Sequence, residues 1–163
     1  MQQADGDLIK TLQAFVDKIP FAESFEMKVA EARKGFVRLA IDPKPALFNH
    51  FGTYQAGVCF TAAEIAGGLL CGTFLDLEKH LLITQKSSIN FQKATSRPLV
   101  VEAELTDEVI DGKIIPALAA KRKTVFAVCV VVRTPEGEVI AECQNDYYLR
   151  IGIPKIFIPS ART

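Results

Sequence analysis

Ala56-Gly57-Val58-Cys59-Phe60-Thr61-Ala62-Ala63-Glu64-Ile65-Ala66-Gly67-Gly68-Leu69-Leu70 is the stretch on which the fold turns. It lies in a run, residues 45–75, in which Glu64 is the only Asp, Glu, Lys or Arg. Apolar and small residues surround Glu64 on every side of a helical projection. The spacing predicts a helix over residues 54–75, buried nearly all round. An ionised carboxylate taken out of water costs several kcal/mol unless it is paired, hydrated or protonated, and no cation lies nearby in the chain. Either Glu64 has a chemical task, or it reaches a polar partner across the fold or the narrow solvent side of its helix.

Working outward, Leu8, Leu12, Phe15, Val16 and Ile19 recur near helical spacing, and Pro20 halts this short amphipathic helix. Residues 26–33 and 36–42 read as a hairpin across Lys34-Gly35, with Val37, Leu39 and Ile41 alternating against Arg38, Ala40 and Asp42. Pro43 and Pro45 end it, and residues 49–53 form a loop before the helix. Beyond the helix, residues 87–92 place Ile89 and Phe91 opposite Ser88, Asn90 and Gln92, as a half-buried strand does. Residues 99–109 are the next strand, and Asp111-Gly112 marks a turn. Residues 124–132 form an apolar, β-branched run expected of a central strand covered on both faces. Thr134-Pro135-Glu136-Gly137 turns the chain into a last antiparallel strand over 138–149, and the tail of residues 151–163 is expected to run irregularly. The fold class expected is α+β: an antiparallel sheet wrapped around one long central helix, with a short N-terminal helix. No linker or repeat interrupts the chain, so one domain over residues 1–163 is expected, with its core at about 15–150.

Composition narrows the function classes. The 163 residues are 49% hydrophobic and 23% charged, with 19 basic and 19 acidic side chains. Such a balance provides no global field for nucleic acid or an anionic membrane, and neither is expected as a partner. Glu64 at the centre of the apolar run would cost roughly 2.5 to 3.5 kcal/mol in a bilayer, which argues against a membrane span. Cys59, Cys71, Cys129 and Cys143 are widely spaced within apolar segments, without a Cys-x-x-Cys pair. They read as free core thiols of a reducing compartment. The polar, acidic opening carries no secretory leader pattern, so a cytoplasmic location is expected. No metal-ligand cluster or Ser-His-Asp arrangement is visible, and no metal or separate cofactor is expected.

The segment Asn49-His50-Phe51-Gly52-Thr53-Tyr54-Gln55-Ala56-Gly57, followed by Glu64, together with the order of elements, resembles the hotdog-fold acyl-CoA thioesterases, and within them the PaaI-like branch. The resemblance covers roughly residues 15–150. That branch shows an Asn, then Gly-Thr-x-His-Gly-Gly at the head of the central helix, then an acid two turns later. Asn49, Gly52, Thr53, Gly57 and Glu64 fall in register, whereas Gln55 stands at the His position and Ala56 at that of the first Gly of the pair.

The resemblance implies hydrolysis of an acyl-CoA to a free acid and coenzyme A, with coenzyme A entering only as part of the substrate. Glu64 would be the general base, or less plausibly a nucleophile giving an anhydride. Gly57 would offer its N–H to the developing oxyanion from the first helical turn, where N–H groups lack intrahelical partners and the dipole favours negative charge. Its alternative is a glycine kept for tight packing. Gln55 would donate to the thioester carbonyl, and Asn49 would orient the water or the carboxylate unless it only makes a turn. Thr84, Ser87 and Ser88 lie where a further hydroxyl is expected, and His50 could take a polar role. Lys121, Arg122 and Lys123 are candidates for the coenzyme A phosphates, with Lys93 and Arg97 a second set. Phe60, Leu69 or Phe74 would meet the acyl chain. Glu64 lies seven residues from Gly57, about 10 Å along one helix, so the resemblance implies a homodimer, or a dimer of dimers, in which the carboxylate of one subunit meets the helix N-terminus of the other. Two other classes fit the same fold: a dehydratase or hydratase, which the Gln at position 55 disfavours, and a non-catalytic acyl-CoA-binding or regulatory module.

Overall fold

The structure, a computed structural model, describes residues 6–154. The N-terminal helix α1 (Gly6–Val16) buries Leu12 and Val16. The helix ends at Val16, ahead of Ile19 and Pro20, and Pro20 instead opens a one-turn helix α2 (Pro20–Glu23), a position where a missing N–H costs nothing. Strands β1 (Lys28–Arg33) and β2 (Phe36–Ile41) form the expected hairpin. Its turn needs a glycine, because Gly35 has φ +72° and a Cβ there would lie 2.4 Å from the Leu105 carbonyl oxygen. Val37, Leu39 and Ile41 are fully buried, while Arg38 on the other face pairs with Glu31 and Glu102.

The central helix α3 (Ala56–Cys71) follows, two residues shorter at its start and four at its end than its apolar run, with Gln55 as N-cap and Gly72 as C-cap. Ten of its residues are buried, Ile65, Leu69 and Leu70 among them, and each such side chain contributes roughly 1.5 to 3 kcal/mol of transfer free energy. Gly72 lets α1 close against the end of α3, since a Cβ there would lie 2.6 Å from Leu12 Cδ2.

Strands β3 (His80–Phe91), β4 (Leu99–Glu104), β5 (Lys123–Arg133) and β6 (Val139–Ile151) complete one six-stranded antiparallel sheet in the order β1-β2-β4-β5-β6-β3. β3 is an edge strand, and it starts seven residues before the alternation at 87–92. The pairing with β6 slips between Thr84 and Lys86, so Gln85 is the extra residue of a β-bulge. The inward positions change from 82 and 84 before the bulge to 87, 89 and 91 after it. No single period of two runs through the strand, and its first half escapes a pattern search.

Residues 99–109 are not one strand. β4 stops at Glu104, and α4 (Asp107–Val109), a π-helical turn (Ile110–Ile114) and α5 (Ile115–Lys121) run on without a break where Asp111-Gly112 reads as a turn. Thr106 starts the helix by accepting the Val109 N–H, and Asp107 and Glu108 sit favourably in its first turn. The widened turn directly precedes Pro116, which would disrupt a regular helix interior. We expect Thr106→Ala to cost about 1 kcal/mol, measured by denaturant unfolding.

β5 is central in the sheet, yet only one of its faces is covered. Val128, Val130 and Val132 are buried against α3, whereas Val125, Ala127 and Cys129 are exposed on the outer face. Cys129 is therefore not a core thiol, in contrast to Cys59, Cys71 and Cys143, and all four are free. Of the tail, residues 155–163 lie outside the described residues, as do residues 1–5 of the polar opening. Among the described residues no helix is long and apolar enough to cross a membrane.

Candidate functional site

Glu64 sits half-buried at the middle of α3, and its carboxylate accepts a hydrogen bond of 2.5 Å from Thr84 Oγ1. No ion pair reaches it among the described residues. Of the three candidate hydroxyls, the bulge at Gln85 sorts them: Thr84 and Ser87 both face α3, and Ser88 is exposed on the outer face opposite Gln144. Without the extra residue, positions 84 and 87 would face opposite ways.

Two side chains of β6 complete the site, and the sequence reading missed both. Tyr147, 1% exposed, donates its hydroxyl to the Glu64 carbonyl at 2.8 Å. Asn145, fully buried, donates to the Ala63 carbonyl at 3.2 Å and accepts from Ser87 Oγ at 2.5 Å. Their signal was available, because Asn145 is a polar residue among the inward positions Ala141, Cys143, Tyr147 and Leu149. The approach of sheet to helix depends on Gly67, where a Cβ would lie 2.4 Å from Tyr147 Oη. Burial first, then the Glu64 charge, pushes the Tyr147 phenol far above its ordinary value, so it acts as a fixed donor. Burial likewise raises the Cys143 thiol, and the Cys59 thiol to about 11, so neither serves as a ready thiolate.

The helix N-terminus is a separate cluster. The Ala56 N–H takes the Gln55 side-chain oxygen at 3.1 Å, and the Val58 N–H takes the Gln55 carbonyl at 2.9 Å. The Gly57 N–H has no acceptor among the described residues, and a Cβ on Gly57 would meet nothing within 4 Å. Tight packing within the chain is therefore not why this position is glycine. Gly57→Ala should leave the fold as stable or up to about 1 kcal/mol more so, by helix propensity, while lowering turnover if substrate approaches here. Paired thermal melts and rate measurements separate the two effects.

Asn49 spends its side chain on its own loop, donating to Thr53 Oγ1 and the Tyr54 carbonyl and accepting from the Phe51 N–H. His50 lies against the Phe51 ring at 3.9 Å between centroids, exposed. Within one chain, none of Asn49, Gln55 and Gly57 touches Glu64. Lys121, Arg122 and Lys123 are exposed and unpaired among the described residues, and Lys123 lies opposite Arg150 on β6. Lys93 and Arg97, by contrast, are neutralised by Glu138 and Glu136. Phe60 is 37% exposed, and Phe74 packs against Ile114, Leu118 and Leu149, away from the cavity that Leu69 lines.

The sequence profile of the family described as domain of unknown function DUF4442 matches residues 10–149. The chain belongs to this family. No curated protein matches it. Among solved structures, this DUF4442 chain is similar to a protein of unknown function from Pseudomonas aeruginosa described as a probable thioesterase, at 26% identity and a TM-score of 0.77 over 87% of this chain and 95% of that one. It is also similar to a thioesterase family protein from Silicibacter pomeroyi, at 17% identity and a TM-score of 0.71, over 89% and 99% of the two chains. A thioesterase from Haemophilus influenzae matches at 12% identity and a TM-score of 0.71, over 90% and 93%. At those two identities the likeness is one of fold. The DUF4442 chain thus has the hotdog fold of the thioesterase superfamily, as the resemblance at residues 49–64 implies.

Proposed function

We propose that this protein hydrolyses acyl-CoA thioesters, with Glu64 as general base. The observation that carries the reading is a carboxylate held by Thr84 in the lining of a mostly apolar cavity, with no ion pair among the described residues to account for its burial. A water attacks the thioester carbonyl carbon and gives its proton to Glu64. The carbonyl oxygen becomes an oxyanion, for which the Gly57 N–H and the Gln55 amide are the available donors. Collapse breaks the C–S bond, and the leaving thiolate takes up the proton, giving free acid and coenzyme A. The unpaired Lys121, Arg122 and Lys123 are the better candidates for the coenzyme A phosphates, because Lys93 and Arg97 already have acidic partners.

Because Glu64 and Gly57 lie about 10 Å apart on one helix, the reaction calls for two copies of the chain, the helix N-terminus of one facing the carboxylate of the other. The free edge of β3, with Ile83 and Phe91 exposed, offers backbone pairing for such a homodimer. The exposed face of β5 offers a second surface for a dimer of dimers. The setting proposed is the cytoplasm, in keeping with four free cysteines. Size analysis should return at least twice the monomer mass of 17.9 kDa, and a clean monomer would undo the shared site. Release of free thiol from a panel of short, long and aryl acyl-CoA thioesters tests the activity. Binding without turnover would make the protein an acyl-CoA-binding module instead.

A further inference from the structure

The cavity beside Glu64 has a volume of about 330 Å³ and a one-sided chemistry. Glu64, Thr84 and Tyr147 stand at one end of its lining. From α3 it takes Glu64, Ile65, Gly68 and Leu69, so it extends from the carboxylate toward the C-terminal end of the helix, away from Gly57. Phe15 of α1 and Ile19 of the segment after it also line it, as does Leu82 of β3. His80 is also in the lining, with its ring nitrogen 2.7 Å from the Asp76 carbonyl oxygen.

We infer that this cavity receives the acyl part of the substrate as an unbranched aliphatic chain, and that Phe15, Ile19 and Gly68 set its length. The inference rests on the hydrolase reading for its reaction, but the aliphatic site stands or falls separately. Beyond Glu64, Thr84 and Tyr147 the lining is apolar save for His80, one of whose ring nitrogens is already taken by the Asp76 carbonyl oxygen, so a polar or charged acyl group would replace few of the hydrogen bonds it loses from water. Size sets the length. A methylene fills about the volume of one water molecule, roughly 30 Å³, so the space suits a chain of about ten carbons.

Gly68 and Gly67 are neighbours with opposite reasons for being glycine. A Cβ at Gly67 would strike Tyr147, whereas a Cβ at Gly68 would meet only Leu82 Cδ2 at 3.8 Å, an ordinary contact. Position 68 therefore tolerates a side chain sterically, and a glycine there leaves the cavity open one helical turn from Glu64. Phe15 and Ile19 are half-buried and belong to the N-terminal helical segment rather than the sheet, so this segment serves as the outer wall of the site.

The test compares kcat/KM for butanoyl-, decanoyl-, hexadecanoyl- and benzoyl-CoA in wild type, Gly68→Leu and Ile19→Ala, each shown to be folded by its melting curve. In the wild type the rate constant should rise about threefold to fourfold per methylene up to about ten carbons and then flatten. Gly68→Leu should lower the decanoyl-to-butanoyl ratio at least about fiftyfold, by filling the space of about three to four methylenes. Ile19→Ala should move the optimum to longer chains, the opposite direction. If decanoyl-CoA is hydrolysed but its ratio to butanoyl-CoA is the same in all three proteins, or if benzoyl-CoA is preferred, the chain-length assignment is overturned and the hydrolase reading survives. If the wild type hydrolyses none of them, calorimetry with S-alkyl-CoA thioethers decides. Affinity that grows with alkyl length and is lost in Gly68→Leu keeps the aliphatic site while the hydrolase reading fails; affinity independent of alkyl length overturns both.

Discussion

Glu64→Gln should lower the turnover of acyl-CoA thioesters at least about a hundredfold, the range that removal of a general base covers. The substitution is close to isosteric. The Thr84 hydroxyl can still donate to the amide oxygen, and no ion pair is broken among the described residues. Stability should therefore change little, within about 0.5 kcal/mol, and the loss is chemical. Thiol release measured at matched folding, with the melting curve as control, checks both halves. Equal turnover in the two proteins would remove Glu64 from the chemistry and leave it as a polar residue that found a partner across the fold. A fall in turnover accompanied by a collapse of the melt would assign it to structure instead.

Gly67→Ala should destabilise the fold by about 1 to 3 kcal/mol, the cost of overpacking a filled interior. The new methyl would lie 2.4 Å from Tyr147 Oη, 3.1 Å from Asn145 Nδ2 and 3.2 Å from Tyr147 Cε2. Tyr147 and Asn145 hold the α3 carbonyls at positions 64 and 63, so relief requires the helix to move off the sheet or these bonds to break. Turnover should fall as well, because the same displacement carries Glu64 away from Thr84. Urea unfolding of four proteins tests the cause: wild type, Gly67→Ala, Tyr147→Phe and the double variant. Because the hydroxyl is the nearest atom, Gly67→Ala should cost measurably less when Tyr147 is already Phe, and strict additivity would reject the steric account.

Much of the fold was legible because its causes are local. The alternation of Val37, Leu39 and Ile41 against Arg38 named a half-buried strand, and it is one, with Arg38 in ion pairs on the outer face. The apolar run around Glu64 named a buried helix for the same reason. Where two local signals conflicted, the reading failed. Asp111-Gly112 speaks for a turn, and its weight concealed Thr106, Asp107 and Glu108, which start a helix. The apolar run of β5 suggested cover on both faces, but β-branched residues favour any pleated strand, and this one leaves Val125 and Ala127 exposed.

By itself, then, the sequence determined the hairpin, the central helix and the presence of one costly carboxylate within it, since periodicity and the penalty of burying a charge depend only on neighbours along the chain. The company that carboxylate keeps was decided by the tertiary structure alone. One extra residue at Gln85 shifts the parity of β3 and turns both Thr84 and Ser87 inward, and the pairing of β3 with β6 brings in Asn145 and Tyr147 from about 80 residues away. Side-chain direction in a strand follows register, and register is settled by how whole strands pack, not by the residues of any one of them.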